Sequence, residues 1–164
     1  MNTREAAAWA ALAAVPDPEI PVLSVCDLGI VREVRSDASG TCVTLTPTYS
    51  GCPATEVIAA SVQEALERAG LGPVELKHRL APAWTTDWIS EDGRRRLLEY
   101  GIAPPGAACE AAAAAPIRLR PRNLACPRCG SLQTERLAAF GSTACKALHR
   151  CLDCREPFEH FKPL

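Results

Sequence analysis

TPTYSGCPATEVIAASVQEALERAG, residues 46–70, decides the fold, because it runs from the end of a strand into a helix with a lone cysteine at the junction. Pro53 suits the first helical turn, where its missing N–H leaves no bond unmade, and Gly70 suits the residue just past a helix end. Between them Val57, Ile58, Val62, Ala65, Leu66 and Ala69 return at helical spacing, which predicts an amphipathic helix with that face toward a core. Upstream, IVREVRSD (30–37) and TCVTLTPT (41–48) are read as two strands joined by a turn at Asp37-Ala38-Ser39-Gly40. The alternation is clean at Val43 and Leu45 against Thr44 and Thr46, and weak in the first strand.

Further out, AAAWAALAAV (6–15) has the length of a signal-peptide core, but its leader MNTRE sets a Glu against a single Arg and it runs straight into PDPEIP. It is expected to be a helix capped by Thr3. Downstream, PVELKHRLAPAW (73–84) predicts a third strand with Val74 and Leu76 on one face, and Ser90 caps a helix over EDGRRRLLEY that Gly101 stops. Helix, hairpin, helix, strand and helix make an α+β domain over 1–102, a small mixed sheet with helices packed on it. Residues 103–120, APPGAACEAAAAAPIRLR, read as a linker, and 121–164 as a small second domain.

That tail carries CPRCG at 126–130 and CLDC at 151–154, two Cys-x-x-Cys pairs separated by twenty-one residues. Each pair turns two thiolates toward a common centre, and two pairs complete the tetrahedral set that Zn²⁺ prefers. Cys126, Cys129, Cys151 and Cys154 are therefore the expected ligands of one structural zinc, in a zinc ribbon whose insert divides at Gly141-Ser142 into two short strands. So small a domain has little apolar surface to bury and depends on such a metal. Cys145 and His149 compete for ligand positions; the simpler expectation packs Cys145 in the ribbon and leaves His149 exposed. Four thiolates also suit an iron–sulfur cluster, against which stand the glycine after the first pair and the two-stranded insert.

Nine cysteines, several at ligand spacing, fit a reducing cytoplasm better than a disulfide scaffold. No apolar run reaches the roughly 18 residues of a membrane span. Charge is balanced at 18 Lys/Arg against 19 Asp/Glu, but residues 1–102 carry 9 − 14 = −5 and residues 103–164 carry 9 − 5 = +4. Four thiolates around one Zn²⁺ would leave the tail at about +2.

Cys52 stands directly before the N–H groups of the predicted helix, where the positive end of the dipole favours a thiolate. Two roles fit: a reactive or metal-binding sulfur, and a small residue tolerated in a tight strand-to-helix turn. Asp17, Glu19 and Asp27 precede it in the proline-rich loop as candidate partners, or as caps and turn residues. Cys42, within a strand, is expected to be a buried inert thiol, and Cys109 to be exposed in the linker.

Asp17-Pro18-Glu19, Asp27-Leu28-Gly29 and the run from Thr48 to Pro53 resemble the domain shared by SufT-like and cytosolic iron–sulfur assembly proteins. With YGIAPP at 100–105 and the ending GSTACKALHRCLDCREPFEHFK, the whole chain from about residue 5 onward resembles the PaaD (PaaJ) family, small subunits of bacterial phenylacetyl-CoA epoxidase systems. The resemblance implies a non-catalytic accessory role in the ring 1,2-epoxidation of aerobic phenylacetate degradation. It implies help in delivering iron or an iron–sulfur cluster, transiently held, to the oxygenase or reductase subunits. Cys52 with Asp17, Glu19 and Asp27 would form the cluster or client site, and Thr48 would brace the Cys52 loop. The residues agree with a non-enzyme: no predicted helix carries a Glu-x-x-His pair, and no Gly-rich nucleotide fingerprint is present.

Two alternatives stay open. One is a structural adaptor bridging epoxidase subunits; a homodimer is an open option under any of these roles. The other is a nucleic-acid-binding ribbon using Arg118, Arg120, Arg122 and Arg128 with Phe140, Phe158 and Phe161, which the small basic excess disfavours.

Overall fold

The structure is a computed structural model that describes residues 2–48, 54–106 and 124–163. Cys52, Pro53, Cys109 and most of the expected linker fall outside the described residues. The chain divides into two compact units, Met1–Gly93 and Arg94–Leu164, so most of the helix after Ser90 belongs to the second.

Helix α1 (Thr3–Ala13) is capped by Asn2, not by Thr3. Asn2 and Glu5 stand three apart, so each side chain reaches the other's backbone: Glu5 N–H donates to Asn2 Oδ1 at 2.8 Å, and Asn2 N–H to Glu5 Oε2 at 2.9 Å. Such a reciprocal box stabilises a helix start by about 1 kcal/mol. The Asn2 amide also donates to the Ser36 carbonyl at 2.8 Å, tying the helix to the first strand.

Strands β1 (Val31–Asp37) and β2 (Gly40–Leu45) form the expected antiparallel hairpin around residues 38–39. The weak alternation of β1 has a physical cause. A register shift between Val31 and Glu33 inserts one residue, so Val31 and Val34 both turn inward although three positions separate them. Helix α2 (Ala54–Arg68) then crosses over to β3 (Val74–His78), which lies parallel to β2, and the sheet order β1-β2-β3 is mixed as expected. Ala54, Ile58, Val62 and Leu66 are buried at strict i, i+4 steps. Val57, expected on the buried face, is 52% exposed because it lies one position, about 100°, off that stripe; Ala69 falls in the turn past the helix end and is exposed.

The segment after β3 clamps the loop that carries Asp27-Leu28-Gly29. Trp84 Nε1 donates to the Leu28 carbonyl at 2.8 Å, Ser90 N–H donates to the Asp27 carbonyl at 2.9 Å, and the Arg32 guanidinium lies 3.5 Å from the Trp88 ring centre. Gly29 has φ +70°, and a Cβ there would sit 2.6 Å from the Trp88 carbonyl oxygen. Helix α3 (Glu91–Tyr100) is capped as expected, with Gly93 N–H donating to Ser90 Oγ at 2.9 Å.

The second unit holds a four-stranded sheet that contains the expected two-stranded insert. Strands β5 (Thr134–Ala138) and β6 (Lys146–Cys151) are the anticipated pair; β7 (Pro157–Phe161) and the two-residue β4 (Ile102–Ala103) extend the sheet in the order β4-β7-β6-β5. Phe158 and Phe161 are buried on opposite faces of β7, so this strand lacks the one-sided alternation that marks a half-exposed strand in sequence. One face packs Ala103, Cys126, Cys151 and Phe158 with Leu124. On the other, the 3% exposed Lys146 pairs with Glu159 at 2.8 Å. Burial alone would raise the Glu159 carboxyl, but Lys146 and the Ser142 amide hold it below its usual range.

Gly29→Ala is expected to destabilise the first unit by at least about 2 kcal/mol, since it combines a left-handed backbone with a collision against Trp88. Urea unfolding followed by tryptophan fluorescence measures this, and a midpoint shift within error of zero would disprove the clamp.

Candidate functional site

The two Cys-x-x-Cys segments form the same turn twice. Cys126 N–H donates to the Ser131 carbonyl at 2.9 Å, and Cys151 N–H donates to the Glu156 carbonyl at 3.0 Å, each five residues on. The residue after each second cysteine has positive φ, +75° at Gly130 and +66° at Arg155. Leu152 N–H donates to the Gln133 carbonyl at 2.7 Å, and Ser131 Oγ donates to Asp153, so each turn is bonded to the other.

This pairing brings the sulfurs of Cys126, Cys129, Cys151 and Cys154 within 4.8 Å of one another. Cys126 and Cys154 Sγ are 3.7 Å apart, and Cys129 and Cys151 Sγ 3.5 Å. Zn–S bonds of about 2.3 Å in a tetrahedron require S···S edges of about 3.8 Å, so the donor set fits a Zn²⁺ ion. The separations are far beyond the roughly 2.05 Å of a disulfide, and all four thiols are free.

Electrostatics favours a cation at the centre. The Cys154 and Asp153 amides pull the Cys151 thiol down to about 7, whereas at Cys154 the lowering by the Glu156 amide is outweighed by desolvation and the neighbouring thiols, which push it up to about 12. Cys129 is likewise raised, by Cys151 and against the Ser131 amide. One thiolate forms readily here, and each further one is resisted by the sulfurs around it; a divalent cation reverses that resistance.

Cys145 lies outside this group: it is buried, 3.0 Å from Thr143 Oγ1. His149 is half-buried rather than exposed, stacked on Phe158 at 5.7 Å and edge-on to His160 at 5.5 Å. Burial holds both imidazoles below their ordinary pKa, His160 at about 4. Phe140, grouped with Phe158 and Phe161 in the sequence, is instead 67% exposed.

In the first unit Asp17 and Asp27 both act on the chain itself. Asp17 is buried, and its Oδ1 accepts from the Glu19 and Ile20 amides at 2.9 and 2.8 Å. Asp27 Oδ2 accepts from the Ser24 amide at 3.0 Å and the Ser24 hydroxyl at 2.8 Å, while Oδ1 accepts from Ser90 Oγ at 3.1 Å. Glu19 and Thr48 are half-buried, and the expected partnership of all these residues with Cys52 lies outside the described residues. Ser24 was not singled out in the sequence, and Ser90 was expected only as a helix cap; no local pattern marked either as a partner of Asp27. Sequence reasoning also passed over Thr46, fully buried at the exit of β2 with a hydroxyl that meets no hydrogen-bond partner among the described residues. Cys42 is half-buried rather than buried. Cys26 is pushed up to about 11 by burial and by Asp27, which keeps it a protonated, unreactive thiol.

Residues 112–162 match the family model described as the PaaD zinc beta ribbon domain, and residues 5–75 match that of an iron–sulfur cluster assembly protein. A protein of Escherichia coli strain K12, provisionally named as one of the subunits of 1,2-phenylacetyl-CoA epoxidase, is 52% identical over 155 residues, 94% of this chain and 90% of that one. The chain belongs to the PaaD family. An Fe-S protein maturation auxiliary factor of Porphyromonas gingivalis is 38% identical over 93 residues, 56% of this PaaD-family chain and 85% of the relative. A crystal structure of a domain of unknown function, DUF59, from Bacillus anthracis superimposes with a TM-score of 0.54 at 28% identity, covering 57% of this chain and 91% of that one. No helix among the described residues is long and apolar enough to cross a membrane.

The two knuckles of this PaaD-family ribbon differ in backbone cost. Gly130→Ala is expected to weaken the unit by about 1 kcal/mol and Arg155→Gly to strengthen it by about 0.5–1 kcal/mol, because only glycine adopts positive φ freely. The rate at which a chelator strips metal from each variant measures both, and equal rates would refute the comparison.

Proposed function

We propose that this chain is a non-catalytic accessory subunit of a phenylacetyl-CoA epoxidase system, acting in the cytoplasm to help deliver iron or an iron–sulfur cluster to the oxygenase or reductase subunits. The observation that carries this is the joining, in one chain, of an iron–sulfur assembly match over residues 5–75 to a PaaD ribbon match over residues 112–162. Relatives named for Fe–S protein maturation, one of them matching 82 residues of this chain, support the same reading. Cys126, Cys129, Cys151 and Cys154 hold one structural Zn²⁺. The ion supplies the cohesion that the small ribbon lacks, on the order of 10–16 kcal/mol in comparable sites, and so presents the ribbon as a rigid module to another protein of the epoxidase complex.

In the first unit Cys52 is the residue that meets the cargo metal or the client, with Glu19 and Thr48 as its candidate partners. Asp17 and Asp27 act through the backbone: they fix the loops on which the site is built. A second reading, an adaptor that bridges subunits without handling metal, is favoured by that engagement of both aspartates in turn-forming hydrogen bonds.

Cys52→Ser separates the two. Co-expressed with the other epoxidase subunits, with folding verified by circular dichroism, it is expected to leave the oxygenase or reductase several-fold short of iron while the complex still assembles. Full iron content and full activity would sink the delivery role and leave the adaptor. Cys126→Ser is expected instead to lose zinc and to unfold the second unit, abolishing co-purification with the partner subunits.

A further inference from the structure

We propose that two copies of this chain associate through the free edge of β3, antiparallel about Leu76, to continue the three-stranded sheet into a six-stranded one.

Strand β3 is an edge: β2 pairs with one side of it, and among the described residues no strand pairs with the other. Thr41 N–H donates to the Pro73 carbonyl at 2.8 Å, and Arg79 N–H donates to the Leu45 carbonyl at 2.8 Å. A parallel ladder bracketed by these bonds uses alternate residues, 73, 75, 77 and 79, on the β3 side. The N–H and C=O groups of Val74, Leu76 and His78 therefore point outward. Among the described residues no strand covers this row of backbone groups; His78 is exposed and Val74 and Leu76 are half-buried, so it is offered to a partner strand.

The sequence of the strand, Val-Glu-Leu-Lys-His, is complementary to itself in one antiparallel register. With Leu76 opposite its own copy, Val74 faces the partner's His78 and the partner's Val74 faces His78. These are the residues whose backbone groups are free, so all three positions become hydrogen-bonded pairs. In the same register Glu75 meets the partner's Lys77, and Lys77 the partner's Glu75. Both fall at non-hydrogen-bonded positions, where opposing side chains lie closest and opposite charges contribute most.

Competing registers are penalised. A shift of two residues either way puts Glu75 or Lys77 opposite its own copy, a shift of one turns each copy's buried face against the other's exposed face, and a parallel approach aligns like with like. Leu76 lies in the row Val34, Val43, Leu76 on the core-facing side of the sheet and is half-buried, so pairing it with its copy buries apolar surface left open at the edge. A two-fold axis through Leu76 closes the assembly at two chains, since each copy has one such edge. Lys77 at present bonds to Glu75 of its own strand at 3.4 Å, with both side chains well exposed, a contact that an equivalent one across the axis replaces at little cost.

The test uses the full zinc-loaded chain in sedimentation equilibrium across a concentration series. The native chain is expected to approach twice its 17.5 kDa mass. Glu75→Lys and Lys77→Glu, each alone, place like charges opposite one another and should raise the dimer dissociation constant at least about tenfold. An equimolar mixture of these two variants restores both opposite-charge contacts and should recover the dimer. His78→Pro removes an outward N–H while leaving the ladder to β2 intact, and should weaken the dimer with an unchanged circular dichroism spectrum. A native chain that stays monomeric to its solubility limit overturns the proposal, whether or not another protein's strand then adds to this edge. So does a dimer indifferent to both charge reversals, and so does a mixture that stays monomeric.

Discussion

Four sulfurs confined within 4.8 Å are the constraint on which the second unit depends. The cluster around this site among the described residues is Ala103, Cys126, Cys151 and Phe158 with Leu124, and it includes two of the four cysteines themselves. An apolar nucleus of that size falls well short of the conformational entropy lost by a chain of this length. The hydrogen-bonded knuckles and the strands between them therefore presuppose whatever holds the thiolates together. The Lys146–Glu159 pair on the opposite face adds specificity more than stability, since a desolvated ion pair rarely outweighs the cost of burying its charges.

The first unit is organised differently, around an ordinary apolar core of Leu12, Val25, Val43, Val62 and Leu66 beneath a mixed sheet. Here the polar groups specify loops. Asp17 folds the proline-rich segment back on itself, and Asp27 fastens the next turn to Ser24 and Ser90. Both carboxylates satisfy amides that would otherwise be left unbonded in a partly buried loop, which is why acidic residues occupy positions with little room for water.

The sequence was most legible where one physical period dominated. The i, i+4 stripe of α2, the Asp37–Gly40 turn and the repeated Cys-x-x-Cys spacing each follow from local geometry. Legibility failed where a long-range or one-residue effect intervened. The bulge after Val31 disguised the inward positions of β1, and the cap expected at Thr3 is one residue earlier, at Asn2. β4 was invisible because two residues carry no alternation and become a strand only by pairing with β7. The four thiols were readable as a set from spacing alone. The hydrogen bonds of Asp17 and Asp27 to nearby amides were not, because an acid in a loop looks the same in sequence whether or not it bonds the backbone.

Those bonds bear on how the Cys52 segment is held. Ile30 follows the clamped Asp27-Leu28-Gly29 turn directly, and its carbonyl accepts the Thr46 amide at 2.9 Å at the exit of β2. Everything that fixes residues 24–30, namely the Ser24 and Ser90 bonds to Asp27, the Trp84 indole on Leu28 and the close approach of Trp88 to Gly29, therefore also fixes the point from which the chain departs toward Cys52. Asp27 is thus linked to Thr46, at the exit of β2, through two backbone steps. Acids placed this way govern a reactive loop by positioning it, and a single anchored turn can do so with its carboxylate oxygens directed at the protein's own amides and hydroxyls.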